Sequence, residues 1–171
     1  DHAPFGGTVG RAVAEAVEAG GGDGDPHRGA VAGRAAGAGA SGVGAAAIQL
    51  ARWRGARVIA TTGSPAKLEA LQAACQPDAA ILAEGRFREA VAEITGGHLC
   101  DLVYDPVGGE IFDESTRCVA FGGKLLVIGF AGGRIAEIST NIPLIKGFSV
   151  VGVRAGEYAR RFPERDRKSV V

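Results

Sequence analysis

From Ser41 onward the chain alternates short apolar runs with longer segments of helical periodicity, and this alternation restricts the possible folds more than any other feature. The short runs are predicted as strands because Val, Ile and Leu dominate them and turn residues bound them. The predicted strands are 57–61, 79–82, 101–104, 124–128 and 149–153, and the predicted helices are 42–54, 65–75, 86–95 and 109–119. Such alternation indicates an α/β fold, a doubly wound parallel sheet with helices on both faces.

Glycine accounts for 28 of the 171 residues and is concentrated at the amino-terminal end. Residues 1–40 contain 11 Gly and 11 Ala but no Leu or Ile. Because such a segment buries little apolar surface to offset its ordering entropy, we expect 1–40 to be poorly ordered or degenerate, without a strand in 30–40. The predicted organisation is therefore this segment, a folded domain at 41–158 and a charged tail at 159–171.

Charge and hydropathy exclude several classes of protein. The 19 Lys and Arg residues balance 19 Asp and Glu residues, which gives no support for nucleic-acid binding. No apolar run approaches the roughly 18 residues of a membrane helix, and the first residues do not resemble a signal peptide. Cys75, Cys100 and Cys118 form neither a complete disulfide set nor a zinc-binding motif. We expect a cytoplasmic protein without a metal, a membrane partner or a nucleic-acid partner.

In such sheets ligands bind beyond the carboxyl ends of strands, and four glycine-containing turns fall at those positions. They are 37–44, 61–64, 104–109 and 127–133. The first leads into a helix whose N-terminus would attract a pyrophosphate, although alone it is equally typical of a flexible linker. The last two could pass against the nicotinamide half of a dinucleotide, or could be plain strand-to-helix turns. Four turns at successive strand ends favour a dinucleotide site.

The second turn indicates NADP rather than NAD. No Asp or Glu between Gly44 and Lys67 could bond the ribose 2′-hydroxyl, as an acidic residue usually does in NAD sites. The hydroxyls of Thr62 and Ser64 together with the Lys67 ammonium suit a 2′-phosphate instead. The alternative is an ordinary helix N-cap at Ser64 and a solvated lysine.

The segment 41–158 resembles the coenzyme domain of the zinc-independent NADPH:quinone oxidoreductases, the zeta-crystallin-like proteins of the medium-chain dehydrogenase/reductase superfamily. The motifs that carry the resemblance are, in order, SGVGAAAIQLA at 41–51, GARVIAT at 55–61, YDPVGG at 104–109, FGGKLLVIGFA at 121–131 and GFSVVG at 147–152. The resemblance implies a Rossmann-like fold, NADPH as cofactor, and hydride transfer to a quinone or a related α,β-unsaturated carbonyl. The residues it implies are Gly42, Val43 and Gly44 for the pyrophosphate, Thr62, Ser64 and Lys67 for the adenosine phosphate, and Gly129, Phe130 and Ala131 for the nicotinamide.

The chain departs from the family pattern in three places. The family has an apolar first strand where this chain has the Gly/Ala/Arg-rich segment 29–40, and it usually has a tyrosine at the position of Ala83. The charged tail stops where the family would return to its catalytic domain. We therefore expect an incomplete sheet, with a weak first strand and no C-terminal return, and a chain that lacks the catalytic domain. No catalytic residue is assigned, and Asp105 is expected to stabilise its turn rather than to bond a ribose.

Two alternatives to an oxidoreductase coenzyme domain remain open. One is an inactive fragment that serves as a non-catalytic nucleotide-binding or dimerisation module, because in the family the strand near 149–153 lies towards the sheet edge and can pair across a homodimer. The other is a chain that does not fold stably because its first strand is degraded, for instance by a reading-frame disturbance upstream of residue 40.

Overall fold

The computed structural model describes residues 30–34, 42–83, 85–161 and 163, and the elements below lie within them. The strands are β1 (Ala30–Arg34), β2 (Arg57–Thr62), β3 (Ala79–Leu82), β4 (Cys100–Asp105), β5 (Val119–Val127) and β6 (Ser149–Gly152). The helices are α1 (Gly42–Trp53), α2 (Pro65–Cys75), α3 (Arg88–Ile94), α4 (Gly109–Ser115), α5 (Asn141–Lys146) and α6 (Ala155–Arg161).

The six strands form one sheet in the order β3-β2-β1-β4-β5-β6, and every neighbouring pair is parallel. This confirms the predicted α/β class and its Rossmann-like topology. The chain moves outward from β1 to β3 on one side and continues from β4 to β6 on the other. The reversal opens a crevice at the carboxyl ends of β1 and β4, where ligands bind in sheets of this type.

The sequence predicts no strand within 30–40, and this prediction is wrong for Ala30–Arg34. These residues form β1 at the centre of the sheet, where Ala32 aligns with Ile59 of β2 and with Val103 of β4. Parallel pairing on both sides gives the backbone its hydrogen bonds, so the neighbouring strands override the weak propensity of this Ala- and Gly-rich segment. The other residues of 1–40 lie outside the described part of the chain.

Helices cover both faces of the sheet. Successive residues of a strand point to opposite faces, and the fully buried pair Val58 and Ile59 of β2 separates the two cores accordingly. Val58 lies in the core beneath α1 and α2, whereas Ile59 lies in the core beneath α3 and α4. Burial of a Val or Ile side chain contributes about 1.5–3 kcal/mol, so these two layers hold the strands in register.

Several bounds differ from the predicted ones. The helix predicted to reach 119 ends at Ser115. Strand β5 begins at Val119 rather than at 124. The register between β4 and β5 shifts between Cys100 and Leu102, so residues 119–123 do not continue the regular pairing of 124–127. Helices α5 and α6, of six and seven residues, were not predicted. Across the described ranges, no helix has the length and apolar character needed to cross a membrane.

Candidate functional site

All nine residues predicted to contact the cofactor lie at or beyond the carboxyl ends of β1, β2 and β5, which share one edge of the sheet. Gly42, Val43 and Gly44 form the first turn of α1, and Gly44 is buried there. The rest of the predicted pyrophosphate turn, 37–41, lies outside the described residues. The site is therefore described from the ends of β2, β3, β4 and β5.

The end of β2 carries a buried hydroxyl, that of Thr62. Thr62 is 1% exposed, and its Oγ1 has no hydrogen-bond partner among the described groups. Its carbonyl oxygen accepts a hydrogen bond from the backbone N–H of Ala83 (2.7 Å), which joins the ends of β2 and β3. A buried hydroxyl left without a partner costs about 1–3 kcal/mol, so a ligand atom that bonds it would recover that cost.

The turn after β2 begins α2 in the predicted way, with Pro65 in its first turn. Ser64 occupies the N-cap position, but its side chain makes no capping hydrogen bond to the helix. Lys67 lies in the first turn of α2 and is half-buried. Ser64 is therefore the N-cap residue, as the alternative supposes, but it lacks the side-chain hydrogen bond of an ordinary cap.

The turn after β4 is held by a buried carboxylate. Asp105 is 2% exposed, and its Oδ1 accepts hydrogen bonds from the backbone N–H groups of Val107 (2.8 Å) and Gly108 (3.0 Å). This is the turn-stabilising role predicted for Asp105. Next to it, burial raises the pKa of Tyr104 to about 12, so the phenol keeps its proton at neutral pH.

The turn after β5 packs directly on the turn after β4. The backbone N–H of Ala131 donates to the carbonyl oxygen of Pro106 (3.1 Å), and that of Gly132 donates to the carbonyl oxygen of Val107 (2.8 Å). The ring of Phe130, which is 44% exposed, lies 3.0 Å from the position that a Cβ at Gly108 would take. Two of the four predicted turns are thus in contact, and the N–H groups of Ile128, Ala131, Gly132 and Gly133 in the last one are already engaged.

A cavity of about 400 Å³ opens at this edge, between the end of β3 and the start of α4. Glycines and small apolar residues form most of its wall, with one carboxylate and one guanidinium; the lining residues are Ala83, Gly85, Val107, Gly108, Gly109, Glu110, Ile111, Gly132 and Arg134. None of them is among the nine predicted residues. The consecutive glycines at 108 and 109 were the one local signal of this cavity, and the alanine at 83, where the family usually has tyrosine, leaves space in it.

Comparison with known proteins decides the family. Residues 42–168 match the zinc-binding dehydrogenase family, and this match extends over more than half of the chain. The chain belongs to that family. Over 110 residues it is 39% identical to quinone oxidoreductase-like protein 2 of Bos taurus, a match that covers 63% of this chain and 31% of that protein. The chain spans less than a third of the length of the curated relatives it matches first.

Solved structures agree with this assignment. The Escherichia coli quinone oxidoreductase complexed with NADPH superposes with a TM-score of 0.68 and 27% identity, over 82% of this chain and 43% of that one. The CurK enoyl reductase superposes with a TM-score of 0.66 and 26% identity, over 82% of this chain and 41% of that one. The predicted resemblance to the quinone oxidoreductase branch of the medium-chain superfamily is therefore confirmed.

The family name implies zinc, and the described residues do not fit it. Within the described ranges, no three His, Cys, Asp or Glu side chains come close enough together to hold a metal ion. Cys100 and Cys118 are free and fully buried, and burial raises the pKa of both thiols, that of Cys118 to about 12. Because thiols bind zinc as thiolates, these two are poor ligands.

Proposed function

We propose that this chain binds NADPH along the carboxyl edge of its sheet, as the coenzyme half of an enzyme that reduces a quinone or an α,β-unsaturated carbonyl compound. The observation that carries the proposal is the buried hydroxyl of Thr62, which has no partner among the described groups and lies at the end of β2, shortly before Ser64 and the first turn of α2 with Lys67. A phosphate oxygen at this turn would accept the hydrogen bond that Thr62 lacks. The family assignment supports the same proposal.

The preference for NADPH over NADH follows from the charge at the end of β2. Lys67 supplies a positive charge in the first turn of α2, where the helix dipole also favours an anion. The 2′-phosphate of NADPH carries about two negative charges at neutral pH, as other phosphate monoesters do. NADH has a neutral hydroxyl at that position and gains nothing from Lys67. The NADPH complex of the Escherichia coli relative is consistent with this choice.

The nicotinamide end is assigned to the turn after β5. NADPH supplies the hydride when bound, and the residues of this chain bind and orient it. The surface of this turn is formed by the backbone of Gly129, Phe130 and Ala131. Hydrogen bonds from the N–H groups of Ala131 and Gly132 to the turn after β4 hold that backbone in place. The proposed substrate class rests on the relatives, which include quinone oxidoreductase-like proteins and an enoyl reductase.

Calorimetric titration of the chain with NADPH and NADH tests the proposal. We expect NADPH to bind more tightly, and Lys67→Ala to weaken NADPH binding by about tenfold or more, as expected for a lost charge-assisted hydrogen bond. The same variant should change NADH binding by less than about twofold. Arg57→Ala, at the opposite end of β2, is the matched control and should leave both affinities unchanged. Absence of binding by either nucleotide would refute the proposal and leave the non-catalytic dimerisation module.

We also propose that the chain forms a homodimer through β6. Among the described strands, β6 pairs with β5 alone and lies at the edge of the sheet, where an unpaired strand can pair with a copy of itself. Phe121, Leu144 and Ile145 are 88%, 80% and 74% exposed, an unusual exposure for large apolar side chains. Sedimentation analysis should find a dimer that Val151→Lys dissociates, and a wild-type monomer at high concentration would refute this proposal.

A cytoplasmic location is proposed from the cysteines. All three are free thiols that the fold buries, as is usual in a reducing compartment. A fluorescent fusion of the full-length protein should distribute through the cytoplasm, and its concentration in an oxidising compartment would contradict the proposal.

A further inference from the structure

The segment that follows β5, residues 129–134, passes the start of α4 and forms an ion pair with that helix. The Arg134 guanidinium donates through Nη2 to Oδ2 of Asp113, which lies on α4. Both side chains are 51% exposed. Arg134 also lines the cavity, so one residue joins the cavity wall, the segment 129–134 and α4.

Two consecutive glycines make this crossing possible. Gly108 and Gly109 have φ values of +71° and +57°, in the left-handed region that glycine adopts most easily. A Cβ at Gly108 would lie 3.2 Å from the carbonyl oxygen of Arg134, and a Cβ at Gly109 would lie 3.6 Å from the Cβ of Arg134. A side chain at Gly108 would crowd the Arg134 carbonyl group, whereas a Cβ at Gly109 would touch Arg134 only at ordinary van der Waals distance.

The ion pair lies at the point where the segment leaves its backbone anchors. Ala131 and Gly132 are bonded to the β4 turn through their N–H groups, whereas residues 133–140 have no regular structure and are exposed or half-buried. Arg134 therefore ties down the first part of a long connection. A half-exposed ion pair adds little to global stability, about 0–1 kcal/mol, so its effect must be sought in the local position of the segment.

We propose that Arg134 is a positioning residue, whose ion pair with Asp113 holds residues 129–131 where the nicotinamide end of the coenzyme requires them. This inference rests on the proposed function, because it assigns these residues to the nicotinamide. It goes beyond that function in naming a pair of residues, outside the predicted contacts, that sets the geometry of one half of the site. The residues assigned to the adenosine phosphate, Thr62, Ser64 and Lys67 at the end of β2, include neither member of the pair.

The test compares NADPH with 2′-phospho-ADP-ribose, which has the adenosine half but lacks nicotinamide. We expect Arg134→Gln and Asp113→Asn each to weaken NADPH binding about two- to fivefold and to leave 2′-phospho-ADP-ribose binding unchanged, a range set by the strength of exposed ion pairs. The reversed pair, Arg134→Asp with Asp113→Arg, should recover most of the loss. The control is Arg154→Gln, an exposed arginine beyond β6.

A second readout does not require any ligand. Amide hydrogen exchange at Ala131 and Gly132 should be faster in Arg134→Gln than in the wild-type chain, while the melting temperature stays the same. Unchanged exchange, equal loss for both ligands, or no recovery in the reversed pair would overturn the inference. If the wild-type chain binds neither ligand, the proposed function fails, and the exchange rates still decide whether the ion pair holds the segment.

Discussion

Glu114 Oε1 accepts a hydrogen bond from the backbone N–H of Arg88 at 3.0 Å, so that a carboxylate on α4 caps the first turn of α3. The same oxygen accepts a second hydrogen bond from the N–H of Phe87 (3.2 Å), and Glu114 is 8% exposed. Helix α3 has no side-chain cap of its own, because Phe87 occupies its N-cap position. The buried Glu114 side chain therefore joins α3 and α4, which lie on the same face of the sheet, by accepting hydrogen bonds from the N–H groups of Phe87 and Arg88.

Removal of this cap should destabilise the fold. Glu114→Ala leaves two backbone N–H groups without an acceptor, and we expect the free energy of unfolding to fall by about 2–4 kcal/mol. Glu114→Gln keeps an acceptor oxygen and should cost about half as much or less. Urea denaturation measures both, with the exposed Glu93→Ala on α3 as control. Equal losses for the Ala and Gln variants would show that the hydrogen bonds are not the cause.

Gly123 of β5 should tolerate no side chain, whereas Gly152 of β6 should tolerate one. A Cβ at Gly123 of β5 would lie 2.9 Å from the carbonyl oxygen of Ala120 and 3.0 Å from that of Asp101. Neither backbone atom can move without disturbing the strand, so we expect Gly123→Ala to lower the free energy of unfolding by about 1–3 kcal/mol. Gly152 of β6 has no atom within 4 Å of its Cβ position, and Gly152→Ala should be nearly neutral. Similar effects of the two substitutions in urea denaturation would contradict the strand packing described above.

The thiols of Cys100 and Cys118 should be unreactive in the folded chain. Both side chains are fully buried, and burial raises the pKa of each thiol, so the reactive thiolate is scarce at neutral pH. Titration with Ellman's reagent should modify neither residue until a denaturant is added. Rapid modification of either one under native conditions, located by mass spectrometry, would show that the core around α4 and β5 is open.

The raised pKa of the Cys118 thiol predicts that the fold loses stability at alkaline pH. The pKa of Cys118 rises from 9.0 to about 12 on folding, chiefly through burial and also through the charge of Glu114. Between these values the unfolded thiol loses its proton and the folded one keeps it, so the native state binds more protons and the free energy of unfolding falls as pH rises. The contribution of Cys118 to the free energy of unfolding is complete below about pH 9. Between the unfolded and folded pKa values it falls by about 1.4 kcal/mol per pH unit. Urea denaturation of Cys118→Ala should give a shallower decline, and an unchanged slope would contradict this origin.

The sequence predicted the elements whose signals are local. Ser64 and Pro65 fixed the start of α2, and the apolar run 79–82 predicted β3 with its observed bounds. It did not predict β1, because Ala30–Arg34 becomes a strand through its two neighbours rather than through its own side chains. Arg134 and Gly109 are far apart in the chain, and Glu114 caps a helix that begins 26 residues earlier. Contacts of this kind depend on tertiary structure, which residue patterns do not encode locally.

Titration of the ¹⁵N-labelled chain with NADPH, followed by amide chemical shifts, tests the central claim most directly. Binding along the carboxyl edge predicts the largest shifts at Gly42–Gly44, Thr62–Lys67 and Gly129–Ala131. It predicts none at Gly122 or Gly147, where the Gly122 N–H donates to the Gly147 carbonyl oxygen away from the proposed site. NADH should produce smaller shifts at Thr62–Lys67, because it lacks the 2′-phosphate. The absence of any shift at saturating NADPH, or shifts centred on Gly122 and Gly147, would contradict the account.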